Sequence, residues 1–178
     1  LLFTASVLSK AMAVVLPVVL LLIDYFKGRK FDLKVFLEKI PFFVVSLIFG
    51  IVAYRVQSQG AIASLQVFSI IQRIMFASYG LVMYVVKFFA PLKLSTFYPY
   101  PTLDKNGLIP VIFYVLPFVI AAAVALVYFK FRKQRFVVFG LLFYFFTVAL
   151  VLQFISVGSA IMADRYTYVS YIGLLFIV

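Results

Sequence analysis

Runs of about 20 apolar residues recur along this chain, and a run of that length crosses the hydrocarbon core of a bilayer as a helix. Few folds accommodate such runs. In lipid every backbone N–H and C=O needs a partner within the protein, so a spanning segment is a helix or part of a closed barrel. No alternating barrel pattern is visible. Hydrophobic residues make up 67% of the 178, well above the roughly half found in soluble domains. The predicted fold class is therefore all-α: a polytopic transmembrane helix bundle of about five spans plus one extracytoplasmic interfacial or re-entrant helix.

Composition removes several chemistries. With no cysteine there is no disulfide or thiolate chemistry. With no histidine there is no imidazole acid–base work, and the commonest zinc ligand is missing. A net charge of +11 raises the question of nucleic acid as a partner. That partner is rejected, because most of the basic residues flank apolar runs, where they set topology. The chain starts and stops inside hydrophobic runs, at Leu1-Leu2 and at Ile177-Val178. It therefore reads as an internal piece of a longer protein.

The spans are expected at about 1–23, 40–54, 107–128, 136–155 and 166–178, all within a single membrane domain. Lys10 falls inside the first, where a mid-span charge costs about 2.5–3.5 kcal/mol. It either snorkels outward or faces a polar cavity. Pro17 is expected to kink this span. Residues 24–39 carry five basic groups, Lys27, Arg29, Lys30, Lys34 and Lys39, and so form a cytoplasmic loop that meets anionic lipid. Within it a short surface helix is predicted from Phe31, with a Lys34–Glu38 pair at i, i+4. Pro41 suits the first turn of the second span, and 57–69 reads as a loop.

Residues 129–135, FKFRKQR, hold four basic residues and no acid, which makes them cytoplasmic as well. The second span leaves the cytoplasm and the 107–128 span returns to it. A full crossing by 70–89 would break that count, so this segment is predicted to be the interfacial or re-entrant helix. Pro91, Pro99 and Pro101 then keep 90–105 out of regular helix, and Val157-Gly158-Ser159 interrupts the pattern further on.

By the same count Arg55, Arg73, Lys87, Lys93, Lys105 and Arg165 all lie outside, more cations than the rule predicts there. An extracytoplasmic anionic substrate would account for them. The stretch MADRYTYVSYIG, 162–173, concentrates the chemistry. If helical, it sets Asp164, Tyr168 and Tyr171 on one face, with Arg165 beside Tyr168. A guanidinium among phenols suits a phosphate or phosphate-sugar head group. The alternatives are an interfacial tyrosine belt and an Asp164–Arg165 pair that satisfies itself. Of the five acids, only Asp104 and Asp164 stand on the outer side.

The sequence contains no phosphate-cradling glycine loop, metal-ligand cluster or nucleophile elbow. Its ordered blocks are SKAMAVVLPVVLLLIDY (9–25), EKIPFF (38–43), the series Arg73, Tyr79, Lys87, Pro91, Tyr98-Pro99, and ADRYTYVSYIGL (163–174). Together they resemble the membrane region of tetratricopeptide-repeat O-mannosyltransferase-like proteins, and through them the GT-C class of polyprenyl-phosphate-sugar glycosyltransferases. Ala11 and Ser170 depart from the pattern, standing where relatives often carry proline or glutamate and proline respectively. No internal repeat of tetratricopeptide length is present.

The resemblance implies an integral-membrane glycosyltransferase. It would move a sugar, mannose by family expectation, from a polyprenyl-phosphate carrier to a protein Ser/Thr hydroxyl or a glycan. The active face would be extracytoplasmic, in a bacterial inner membrane or an endoplasmic reticulum membrane. Its partners would be the bilayer, the lipid-linked sugar and the acceptor. Arg165, Lys87, Arg73 and Lys10 would hold the donor phosphate. Tyr166 and Tyr168 would contact the sugar, and Asp164 would orient Arg165. The catalytic base is expected upstream of residue 1, no metal ligands are assigned, and the donor itself takes the place of a cofactor. Two rivals share the features: a lipid-linked-sugar flippase, and a non-catalytic membrane anchor of a repeat protein.

Overall fold

The computed structural model describes residues 1–61, 68–101, 108–152 and 160–178. The expected interruption at Val157-Gly158-Ser159, and Asp104 and Lys105, lie outside the described residues. The described chain is a helical bundle: α1 (Leu2–Ser9), α2 (Leu16–Phe26), α3 (Leu33–Ala61), α4 (Ile70–Phe89), α5 (Ile112–Leu126), α6 (Arg135–Ala149) and α7 (Ser170–Leu175). Two very short strands, β1 (Tyr98–Pro99) and β2 (Ala160–Met162), pair antiparallel with Tyr98 opposite Met162. Three helical segments, Leu33–Val56, Ile70–Phe89 and Ile112–Phe131, are long and apolar enough to cross a membrane.

The first apolar run is not one span kinked at Pro17. It breaks at Lys10, whose backbone is extended (φ −153°, ψ 119°). A 3-10 turn over Ala11–Val15 follows. Pro17 sits in the first turn of α2, where its missing N–H removes no helix bond. The ring centres of Phe3 and Phe42 are 5.6 Å apart. Lys39, three residues before Phe42, is ion-paired to Asp24 near the end of α2. Thus α1 folds back against α3 instead of prolonging α2.

The surface helix and second span expected separately are a single 29-residue helix, α3, with Pro41 inside it. The predicted Lys34–Glu38 pair does not form. Glu38 accepts two 2.7 Å hydrogen bonds from Arg29 and one of 3.2 Å from Lys39. Arg29 and Lys39 also reach Asp24. A bidentate guanidinium holds a carboxylate better than a flexible ammonium one turn away, so this network ties α2 to the start of α3.

Ser69 and Gln72 cap α4 reciprocally. The Ser69 hydroxyl accepts from the Gln72 N–H, and the Gln72 side chain accepts from the Ser69 N–H at 2.9 Å. This capping box satisfies two end donors at once. Residues 70–89, read above as interfacial or re-entrant, form one unbroken 20-residue helix. It is also the helix most involved in the core. Phe76, Ala77 and Tyr84 meet Phe113 of α5, Tyr144 and Val148 of α6, and Met162 of β2. By contrast, α3 and α5 leave large apolar side chains such as Leu47 and Phe118 bare, as lipid-facing helices do.

Candidate functional site

The ADRY turn is anchored by α4 and by the loop that follows it. Tyr84, completely buried, brackets Ala163: its hydroxyl accepts from the Ala163 N–H at 3.0 Å and donates to the Ala163 carbonyl at 3.2 Å. The Tyr171 hydroxyl donates to the Tyr84 carbonyl at 2.9 Å. One residue on, Asp164 faces the loop after α4. Its Oδ2 accepts from the Ser95 N–H at 2.6 Å and from the Tyr98 hydroxyl at 2.7 Å. The Asp164 N–H donates to the Ser95 carbonyl at 3.2 Å. Carboxylates accept such bonds strongly, so Asp164 fastens the turn to the loop.

Two expectations about this stretch need correcting. It does not begin as an α-helix. Residues Asp164–Tyr166 form a 3-10 turn, and α7 starts only at Ser170. Asp164, Tyr168 and Tyr171 therefore share no helical face. Nor does Asp164 orient Arg165 through an ion pair. The carboxylate is taken by Ser95 and Tyr98, whereas the Arg165 guanidinium lies 5.3 Å from the centre of the Tyr166 ring. Tyr166 beside it raises the Arg165 pKa above its ordinary value.

Arg165 borders a cavity of about 670 Å³. The walls are mostly apolar and come from α1, the Ala11–Val15 turn, the start of α2, α3 and α6; Phe3, Val19, Phe42 and Phe143 contribute. The charged lining residues are Lys10 and Arg165, and Tyr166, Tyr168, Ser6 and Thr147 add polar groups. Lys10 reaches this position because the chain breaks there. The hydroxyl of Thr147 is already engaged by the Phe143 carbonyl at 2.6 Å. No aspartate or glutamate lines the cavity among the described residues, so it offers cations and apolar walls but no carboxylate base.

Four predicted site residues thus meet at one place: Lys10, Arg165, Tyr166 and Tyr168. The other two cations do not join them. Lys87 is buried beneath the loop after α4. Its ammonium donates to the carbonyls of Leu92 and Lys93, both at 3.2 Å, and sits 4.8 Å from the Tyr98 ring centre. Arg73 lies fourteen residues away on the same helix, about 21 Å along its axis, and donates to the Phe68 carbonyl. One phosphate cannot bridge Arg73 and Lys87, and neither lines the cavity.

Tyr84, Ser95 and Thr147 were not anticipated in these roles, and Tyr98 appeared only in the series that carries the resemblance. Tyr98 carried a signal, an aromatic directly before a proline in FYPYP. A tyrosine such as Tyr84, midway along an apolar helix with no polar neighbour, signals only that its hydroxyl must find a partner elsewhere. Among the described residues no group of three or more acids, histidines or cysteines gathers to hold a metal. No family model, curated protein or solved structure matches the chain.

Proposed function

We propose that the cavity binds the phosphate end of a polyprenyl-phosphate sugar, and that the protein is an integral-membrane glycosyltransferase acting on that donor. The observation that carries this reading is the cavity lining, in which two cations stand among apolar walls and two tyrosines. A free sugar phosphate would find too much hydrocarbon surface here, and a lipid without an anionic head group would have no use for Lys10 and Arg165. An amphipathic anion suits both. Lys10 and Arg165 would neutralise the phosphate and stabilise the charge it gains as leaving group. Tyr166 and Tyr168 would present hydroxyls and ring faces to the sugar. The base that deprotonates the acceptor hydroxyl lies outside the lining described.

Topology fits the same proposal. Arg135 packs against Gly28, which supports placing segments 24–39 and 129–135 on one side of the membrane. With α3 leaving that side and α5 returning to it, α4 makes no third full crossing. In this reading α4 is the interfacial or re-entrant helix, and the ADRY turn works at the opposite, extracytoplasmic side.

A second reading has one observation in its favour. Transporters build substrate sites from discontinuous helices, and the break at Lys10 borders the cavity. A flippase for the same lipid would use the same cations. The test is transfer of labelled mannose from a polyprenyl-phosphate-mannose to a Ser/Thr peptide in proteoliposomes, run beside a donor-flipping assay. Transfer that collapses in Arg165→Ala and Lys10→Ala supports the transferase. Flipping without transfer supports the transporter, and absence of both donor binding and transfer rejects the site.

A further inference from the structure

The proposed donor cavity leaves the most basic surface of the molecule unexplained. That surface comes from two segments far apart in sequence. Gly28 has a left-handed backbone (φ +69°), and the guanidinium of Arg135 occupies the space a Cβ would need there. The turn after α2 and the start of α6 therefore lie directly against each other. Aromatic packing fixes the same junction, with Phe26 of α2 tilted 5.0 Å from Phe139 of α6 and edge-to-face 5.2 Å from Phe176.

The acids nearby are largely committed. Asp24 pairs with Lys39 and Arg29, and Glu38 pairs with Arg29 and Lys39. Asp32 stays exposed at the start of α3. Lys27, Lys30, Lys130, Arg132, Lys133 and Arg135 are exposed, and no ion pair among the described residues includes them. Beside them Tyr128 and Phe129 project outward, 57% and 80% exposed. The guanidinium of Arg132 lies 5.4 Å from the Tyr128 ring centre. Cations and bare aromatic rings at one level match the boundary between head groups and hydrocarbon.

We infer that the turn at 27–30 and the segment 130–135 together form one seat for the phosphate groups of anionic phospholipids. Guanidinium and ammonium groups bind phosphodiester oxygens, and the exposed rings hold the seat at head-group depth. Inorganic phosphate presents the same chemistry without the lipid. The rings beside the seat favour the lipid, because a soluble ion gains nothing from them. The seat is about 18 Å along α6 from Thr147, so it does not depend on the cavity or on the donor proposed for it.

The test is native mass spectrometry of the purified full chain, counting retained phosphatidylglycerol against phosphatidylcholine at matched concentration. Wild type is expected to retain phosphatidylglycerol preferentially. Arg135→Gln is expected to weaken that retention about fivefold, the effect of removing one juxtamembrane cation. Gly28→Ala is expected to do the same by displacing Arg135 while every charge is kept. Lys93→Gln, on the loop after α4, should leave retention unchanged. Equal retention of the two lipids, or an Arg135→Gln protein that is folded by its thermal midpoint and binds normally, would overturn the seat. Displacement of the lipid by millimolar inorganic phosphate would overturn its assignment to lipid.

Discussion

Gly140 and Gly173 face each other backbone to backbone where α6 and α7 cross. A Cβ on Gly140 would stand 2.5 Å from the Gly173 carbonyl oxygen, and one on Gly173 would stand 2.5 Å from the Gly140 carbonyl oxygen. Membrane helices use such small-residue crossings because close backbone approach replaces the missing hydrophobic drive. Here the crossing carries α7, and with it the ADRY turn, onto the bundle.

Alanine at either glycine should therefore overpack the crossing and cost about 1–3 kcal/mol. Gly50 is the control, since nothing lies within 4 Å of its hypothetical Cβ. Gly50→Ala should gain about 0.5–1 kcal/mol from backbone entropy alone. Thermal unfolding in nanodiscs compares the three variants, and equal midpoints would remove the crossing from the account.

Asp164 and Tyr98 should be energetically coupled. Asp164→Ala also releases the Ser95 N–H, so it should cost more than Tyr98→Phe. A double-mutant cycle is expected to give about 0.5–3 kcal/mol of coupling. Strict additivity would mean that the carboxylate does not fasten the loop.

Tyr84→Phe removes one oxygen and strands the Ala163 N–H, whereas the Ala163 carbonyl keeps the Tyr166 N–H at 3.1 Å. The expected cost is about 1–3 kcal/mol, the desolvation penalty of a buried group left unpaired. Amide exchange localises the effect, and the Ala163 N–H should lose protection before the amides of α6 do. Uniform loss of protection would argue against a local clamp.

Lys39→Met should destabilise more than Lys39→Met combined with Asp24→Leu. Removing Lys39 leaves the largely buried Asp24 with only the 3.7 Å contact to Arg29, whereas removing both partners leaves no buried charge to compensate. A double variant no more stable than the single would mean that Asp24 finds its charge balance elsewhere.

Much of the helical layout was legible in the sequence, because membrane helices announce themselves through uninterrupted apolar runs. The helix breaks were less legible. No glycine or proline marks Lys10, and the break arises where α1 folds back against α3, a tertiary event. Pro41 looked like a helix start but is the ninth residue of α3, and residue type alone does not distinguish a first turn from a helix interior. The Ser69–Gln72 capping box was available in the sequence as S-x-x-Q and went unused. At the site, the charges were legible but their partners were not. Arg165, Tyr166 and Tyr168 were grouped correctly by proximity, and Lys10 was recognised as facing either lipid or a cavity. Asp164 was assigned to its neighbour Arg165, whereas its partners Ser95 and Tyr98 come from 69 and 66 residues away. Local spacing carries no information about contacts of that range.

The Tyr98 ring has one further consequence. Lys87 sits over its face and Asp164 at its hydroxyl edge, so two opposite charges that form no ion pair are joined through an aromatic quadrupole. The electron-rich face turns to the cation and the electron-poor edge to the anion. A ring so placed is oriented electrically as well as sterically, and a quarter-turn would reverse both attractions. Phenylalanine at this position would keep the ring and lose the hydroxyl that donates to Asp164, whereas leucine would lose both. The loop after α4 is thus held by an electrostatic axle whose two ends lie on different parts of the chain.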